Sequence, residues 1–177
     1  MDFIDREFKI FKLFREGTPL VCAGNMEHYN ACTVGWGSMG TFWTQNDDTG
    51  NLVTVYLHPA RYTTQFFNEN DTFTVCFFPE SCKKAVMYMG THSGRNEDKA
   101  AAARLTPVPT GDTVYFKEAK LTLVCRKLYG GQFSKEGIAP EIAEYYKTKP
   151  HVYPVDENGQ WQPHWMFVGE LIDVIEA

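Results

Sequence analysis

The run A-K-L-T-L-V-C-R-K-L-Y, Ala119 to Tyr129, alternates apolar and polar residues with a period of two. Successive side chains of a strand point to opposite faces. Leu121, Leu123 and Cys125 therefore share one face, and Lys120, Thr122, Val124 and Arg126 the other. Upstream, T-F-T-V-C-F-F from Thr72 to Phe78 is nearly continuous apolar, the pattern of a strand covered on both faces. Further strands are predicted at Leu20 to Ala23, Ala31 to Trp36 and Leu52 to His58, and Trp165 to Ile175 closes the chain as another. A short opening helix is predicted around Phe8, Phe11, Leu13 and Phe14, ended by Gly17 and Pro19. Other helices are expected at Tyr62 to Asn68, Ser81 to Met89 and Glu97 to Arg104, and a plain turn at Asn46 to Asn51. The stretch from Gly130-Gly131 to Gln162, rich in Pro, Gly and aromatics, reads as a loop excursion with one short helix at Pro140 to Tyr146. Strands joined by short helices imply a mainly β fold, a closed or partly closed barrel rather than a doubly wound sheet. The chain contains no repeat or linker, so residues 1–177 are expected to form one domain, and a barrel rather than a doubly wound sheet gives no Rossmann dinucleotide site.

Composition narrows the function. Apolar residues make up 44% and aromatics 15%, including 13 Phe and 9 Tyr, which suits a β-rich globular core. A net charge of −5 argues against nucleic acid as a partner, since counterion release needs a basic face. Five cysteines, an odd number with no C-x-x-C pair, point to a reducing compartment, with Cys22, Cys76 and Cys125 as buried small hydrophobes. The five histidines, His28, His58, His92, His151 and His164, lack metal-site spacing. No apolar run reaches membrane-spanning length, and M-D-F-I-D-R-E-F is unlike a signal peptide. The expectation is a soluble cytoplasmic protein with no membrane contact.

Two segments carry anion chemistry. T-H-S-G-R-N-E-D-K, Thr91 to Lys99, places a hydroxyl, a guanidinium and an ammonium at a helix start, where backbone N–H groups also point outward. An ordinary helix capped by Asn96, with Glu97 and Asp98 in its first turn, would have the same residues. H-P-A-R-Y-T, His58 to Thr63, likewise ends a strand and opens a helix. Two such sites fit one phosphorylated cofactor.

Six pieces of the chain, in order, resemble the flavin reductase-like family, the FMN-binding split β-barrels of Greek-key type, and within it the flavoredoxin branch. They are A-G-N-M-E-H-Y-N-A-C-T-V-G-W-G, V-T-V-Y-L-H-P-A-R-Y-T, T-F-T-V-C-F-F-P-E, M-G-T-H-S-G-R-N-E-D-K, E-A-K-L-T-L-V-C-R-K-L-Y and H-W-M-F-V-G-E. The resemblance implies a homodimer with FMN near the subunit interface. Asn30 to Trp36 matches the segment that runs along the flavin ring, so Asn30, Ala31, Cys32, Thr33 and Trp36 become ring contacts. Arg61 and Thr63 would bind the phosphate, completed by Ser93, Gly94, Arg95 and Lys99. Asp98 is expected to pair with a base or cap the helix. His164 falls near the flavin's reactive edge, to bind substrate or assist proton transfer, or serves as scaffold at the barrel rim. Cys32 stands where the family often has Met, and Gly35 replaces a common Ser.

A bound flavin supplies the redox chemistry, and no hydrolytic constellation competes with it. The resemblance thus implies an FMN-dependent oxidoreductase that takes electrons from NADH or NADPH and reduces flavin or another small acceptor. An alternative is a flavoredoxin-type carrier that keeps FMN and exchanges electrons with a redox protein partner. A flavin- or haem-binding barrel without turnover is a third reading. The excursion from Gly131 to Gln162 would lie over the flavin and select substrates, or be an ordinary surface loop.

Overall fold

The computed structural model describes residues 5–45, 48–149, 153 and 155–177. Among these residues nine strands follow in chain order: β1 (Leu20–Gly24), β2 (Tyr29–Thr33), β3 (Gly37–Gln45), β4 (Asp48–Leu57), β5 (Thr72–Phe77), β6 (Pro107–Thr110), β7 (Thr113–Phe116), β8 (Leu121–Gln132) and β9 (Trp165–Glu176). Among the described residues five short α-helices accompany them, α1 ahead of the first strand and the rest between strands: α1 (Ile10–Arg15), α2 (Thr63–Glu69), α3 (Lys83–Thr91), α4 (Lys99–Ala103) and α5 (Pro140–Lys147). Seven strands form one sheet in the order β2-β1-β5-β8-β9-β4-β3, antiparallel at every pairing, and β6 and β7 form a separate hairpin.

The sheet curls so that strands from both ends of that order face one core. Cys32 of β2 and Val53 of β4 join Val75, Leu123 and Phe167 in a single buried cluster, with Phe66 and Phe67 of α2. A second cluster lies on the outer side of β1 and β5, where Leu20, Cys22 and Cys76 meet Val86 and Met89 of α3, Ala100 of α4 and Phe116 of β7. The continuous apolar character of β5 follows directly: Phe73, Val75 and Phe77 fill the inner core while Cys76 fills the outer one. Cys22, Cys76 and Cys125 are all buried, as expected.

Several elements depart from expectation. The strand expected at Ala31 to Trp36 runs instead from Tyr29 to Thr33, and a separate strand begins at Gly37. Of the expected turn at 46–51, Asn46 and Asp47 lie outside the described residues, and Asp48 onward belongs to β4. Gly130 and Gly131 are not loop: β8 carries them in register with Phe167 and Met166. The Cβ position of Gly130 would press on the Phe167 ring, so the small residue allows close packing there. α4 is capped by Asp98, whose Oδ1 accepts the Ala101 N–H at 3.1 Å, rather than by Asn96. α5 lies where a short helix was expected, with Pro140 at its first position. Pro150, His151 and Pro154 of the excursion lie outside the described residues.

Candidate functional site

Three chain segments converge beside β2. The turn after β4 carries His58, Ala60 and Arg61; the end of α3 and the loop to α4 carry Gly90 to Asp98; and His164 immediately precedes β9. Their packing is close. A Cβ on Gly90 would overlap the Thr33 hydroxyl, and one on Gly94 would overlap Asn30 Oδ1, so only glycine lets this loop lie against the strand. Arg61 Nη1 donates to the Gly90 carbonyl at 2.8 Å, tying the two loops together. Asn30, buried at 5% exposure, donates from Nδ2 to Thr63 Oγ1 at 2.9 Å.

The expected site residues divide among distinct surroundings. Cys32, Thr33, Trp36 and Arg61 line a cavity of about 500 Å³ together with His58, Tyr153 and His164. Asn30, Ala31, Gly94 and Lys99 line a smaller one of about 290 Å³, which also receives Glu27, Glu97 and Asp98. Three carboxylates make that second space unfavourable for a phosphate. Thr63 is buried between the two groups, bonded to Asn30. Ser93 Oγ accepts the Arg95 N–H at 3.3 Å, and the Arg95 guanidinium lies 4.3 Å from the centre of the Tyr62 ring, a cation–π contact at the surface. Lys99 is the main departure. Its Nζ donates to Ala31 O at 2.6 Å and to Met89 O at 3.1 Å, at 5% residue exposure, so it braces α4 against β2 rather than standing as an open cation. Burial lowers its pKa from the usual lysine value.

Trp36 is 44% exposed and so is no core residue. Its ring lies 4.4 Å from that of His164, and His164 in turn meets His58 edge-on at 5.2 Å. His164 is 9% exposed; burial, reinforced by His58 and Arg61, pulls its pKa down to about 4. His58 is lowered too, by burial and then by Arg61. Both imidazoles are thus neutral at pH 7. His58 Nδ1 accepts the Ala60 N–H at 3.1 Å, which leaves its proton on Nε2. His58 Nε2 and His164 Nδ1 are both buried without a hydrogen-bond partner among the described residues. The Cys32 thiol, held up mainly by burial, stays protonated.

Sequence reasoning set the aromatic-rich excursion over the flavin as one of two alternatives but named none of the aromatic residues that gather at this cavity. Tyr146 of α5 stacks on Trp161 at 5.2 Å, and Tyr146 and Tyr153 both approach the His164 ring, at 6.0 and 5.8 Å. The signal was present in the aromatic richness of the excursion, but nothing local said which way it folds. A larger cavity of about 650 Å³, between α1 and the start of α3, has apolar and mixed-charge walls and none of these groups. Among the described residues no cluster of three metal-ligating side chains occurs, and no helix is long and apolar enough to cross a membrane.

Comparison with known proteins fits this geometry. No curated protein matches the chain. Among solved structures, the flavoredoxin of Desulfovibrio vulgaris (Miyazaki F) is 23% identical with a TM-score of 0.62, covering 90% of this chain and 68% of its own. The FMN-binding protein from Thermus thermophilus, solved with bound p-hydroxybenzaldehyde, is 20% identical with a TM-score of 0.64, covering 100% and 81%. Nitrilotriacetate monooxygenase component B from Bacillus cereus is 15% identical with a TM-score of 0.63, covering 100% and 80%. At these identities the likeness establishes the fold, that of the FMN-binding split β-barrels. The sequence profile of the flavin reductase like domain matches residues 11–176, so the chain belongs to the flavin reductase-like family.

Proposed function

We propose that the protein is an FMN-binding oxidoreductase that passes electrons from NADH or NADPH to flavin or another small acceptor. The observation that carries this reading is the half-exposed Trp36 ring beside a cavity of about 500 Å³ lined also by Arg61, His58 and His164, whose imidazoles each bury one nitrogen without a partner among the described residues. A cavity of that size, apolar on one side and furnished with a few convergent polar groups, suits a planar cofactor. Family membership, the FMN-binding Thermus protein and the Desulfovibrio flavoredoxin with this fold support the choice of FMN.

In this reading Trp36 and Thr33 flank the ring. The remaining N–H groups of Arg61, with Arg95 and Ser93, hold the phosphate; Lys99 and Thr63 act behind them by fixing β2 and α2. FMN, when bound, supplies transfer of electrons singly or in pairs. The chain's own contribution is orientation and exclusion of water. Tyr153 lines one side of the cavity, with Tyr146 packed against it and Trp161 stacked on Tyr146. His164, neutral at pH 7, binds and orients by hydrogen bonding rather than by donating a proton from an imidazolium.

The test is an absorbance spectrum of protein loaded with FMN, recorded before and after anaerobic NADH and NADPH. Stoichiometric FMN uptake with bleaching in seconds is expected. FMN uptake without bleaching by either nucleotide would replace the enzyme by an electron carrier served by a protein partner. Failure to take up FMN would remove the reading altogether.

A further inference from the structure

Three consecutive residues after β4 each reach a different part of the wall formed by β2 and the loop from α3 to α4. Arg61 Nη1 donates to the Gly90 carbonyl at 2.8 Å. Thr63 Oγ1 accepts from Nδ2 of Asn30 at 2.9 Å, and Gly94 packs on that Asn30. Between them stands Tyr62, which the FMN reading gives no task. The guanidinium carbon of Arg95 lies over its ring, 4.3 Å from the centre.

The ring is a fixed surface. Tyr62 is half-buried and packs against the inner cluster. Phe66, four residues on in α2 and 1% exposed, meets it edge-on at 5.0 Å. Arg95, in contrast, is exposed, and its guanidinium has no hydrogen bond or ion pair among the described residues. The charged side chains that follow it are committed. Glu97 Oε2 accepts the Tyr88 O–H at 2.7 Å, Asp98 caps α4, and Lys99 bonds to Ala31 O and Met89 O. A guanidinium resting on an aromatic face is held there while the donors along its edges stay open.

The two cross-contacts are reciprocal. The arginine of the turn is held by the loop, through Gly90, and the arginine of the loop is held by the turn, through Tyr62. A long, exposed arginine gives up rotamer freedom when it grips an anion. One that already rests on a ring has given up part of it beforehand, which leaves more of the binding free energy for the ligand.

We infer that Tyr62 is a positioning residue for the anion site: its ring holds Arg95 on the seam between the two segments, with the guanidinium edges free to grip a phosphomonoester. This rests on the reading of FMN as the ligand and of Arg95 as a phosphate contact, and it adds what sets that arginine in place.

The test compares FMN with riboflavin, which lacks the phosphate, by flavin fluorescence titration. Tyr62→Leu keeps an apolar side chain on the inner cluster and removes the ring face; Tyr62→Met is a second replacement with the same expectation. Either should weaken FMN about three- to fivefold and leave riboflavin within about twofold. Tyr62→Phe, which keeps the ring, should bind both flavins as the wild type does. In an Arg95→Ala background, Tyr62→Leu should make no further difference to FMN, because the ring then has nothing to hold. Proton NMR of the flavin-free protein should show the Arg95 δ-methylene shifted upfield by the ring current, in the wild type and Tyr62→Phe but not in Tyr62→Leu. Parallel losses of FMN and riboflavin, or a Tyr62→Leu loss that persists without Arg95, would make Tyr62 a residue of the fold alone and overturn the inference. An Arg95 signal without the upfield shift would overturn it too. A wild-type protein that binds FMN and riboflavin equally sinks the phosphate reading beneath it, whereas a preference for FMN that is indifferent to Tyr62 sinks this inference alone.

Discussion

Lys99 Nζ lies 2.6 Å from the carbonyl oxygen of Ala31, so the first residue of α4 is hydrogen-bonded to the edge strand of the main sheet. A second bond to Met89 O at 3.1 Å completes a brace between β2, α3 and α4. Removing it strands two carbonyls in a buried place. Lys99→Met should lower unfolding stability by about 2–4 kcal/mol. Urea denaturation measures this, and a loss below about 1 kcal/mol would show that the brace is dispensable.

The contact of Gly94 with Asn30 gives a second expectation. A methyl group there must displace Asn30 and with it the 2.9 Å bond to Thr63. Gly94→Ala should cost about 1–3 kcal/mol and weaken FMN binding, whereas Gly137→Ala, in open space, should change neither. Thermal melts and flavin fluorescence titrations of the two variants decide it.

Arg61 and Arg95 carry the phosphate assignment, because Lys99 is engaged elsewhere. Arg61→Ala and Arg95→Ala should each weaken FMN by about tenfold or more while affecting riboflavin far less. Equal losses for the two ligands would move the phosphate away from these arginines.

The buried His164 sets an acid limit. Its folded-state pKa of about 4 lies below the ordinary value of 6.5, so the unfolded chain takes up the proton first as pH falls. Stability from this group is fully present above pH 6.5, declines below it and is lost by pH 4, on the order of 2–3 kcal/mol. His164→Phe should flatten the stability profile across that window. A variant profile parallel to that of the wild type would place the acid sensitivity elsewhere.

Thiol accessibility is a further check. Of five cysteines only Cys82 is partly exposed; Cys22, Cys32, Cys76 and Cys125 are buried with raised pKa values, mainly through burial. A thiol reagent should titrate one group quickly in the folded protein and all five in urea. Rapid reaction of Cys32 would mean that the cavity wall opens to solvent.

Legibility in the sequence followed how local each signal was. β5 and β8 were readable because burial on one or two faces writes itself as a run or an alternation. β3 was not: Gly37-Ser-Met-Gly40 has little strand propensity, and its pairing with β4 supplies the order. β6 was masked by Pro107 and Pro109, tolerated because the hairpin has only two strands. At the site, the motif residues were legible as a set, but their division between two cavities was not, since it depends on how the loop at Gly90 to Gly94 lies on β2. The bracing role of Lys99 had no local signature, because its partners are ten and sixty-eight residues away. His58 was visible, but its fixed proton depends on a turn geometry that only the folded chain supplies.

β5 contributes side chains to both hydrophobic clusters, with Phe73, Val75 and Phe77 turned to one and Cys76 to the other. The two clusters therefore share a wall one strand thick. Loss of the α3–α4 layer would bare the back of the strand that holds the inner cluster together, and melting of the inner cluster would remove the floor on which that layer rests. The inner sheet and its helical cover are thereby coupled into a single cooperative unit, which keeps the arginine-bearing loops in register for as long as the barrel itself survives.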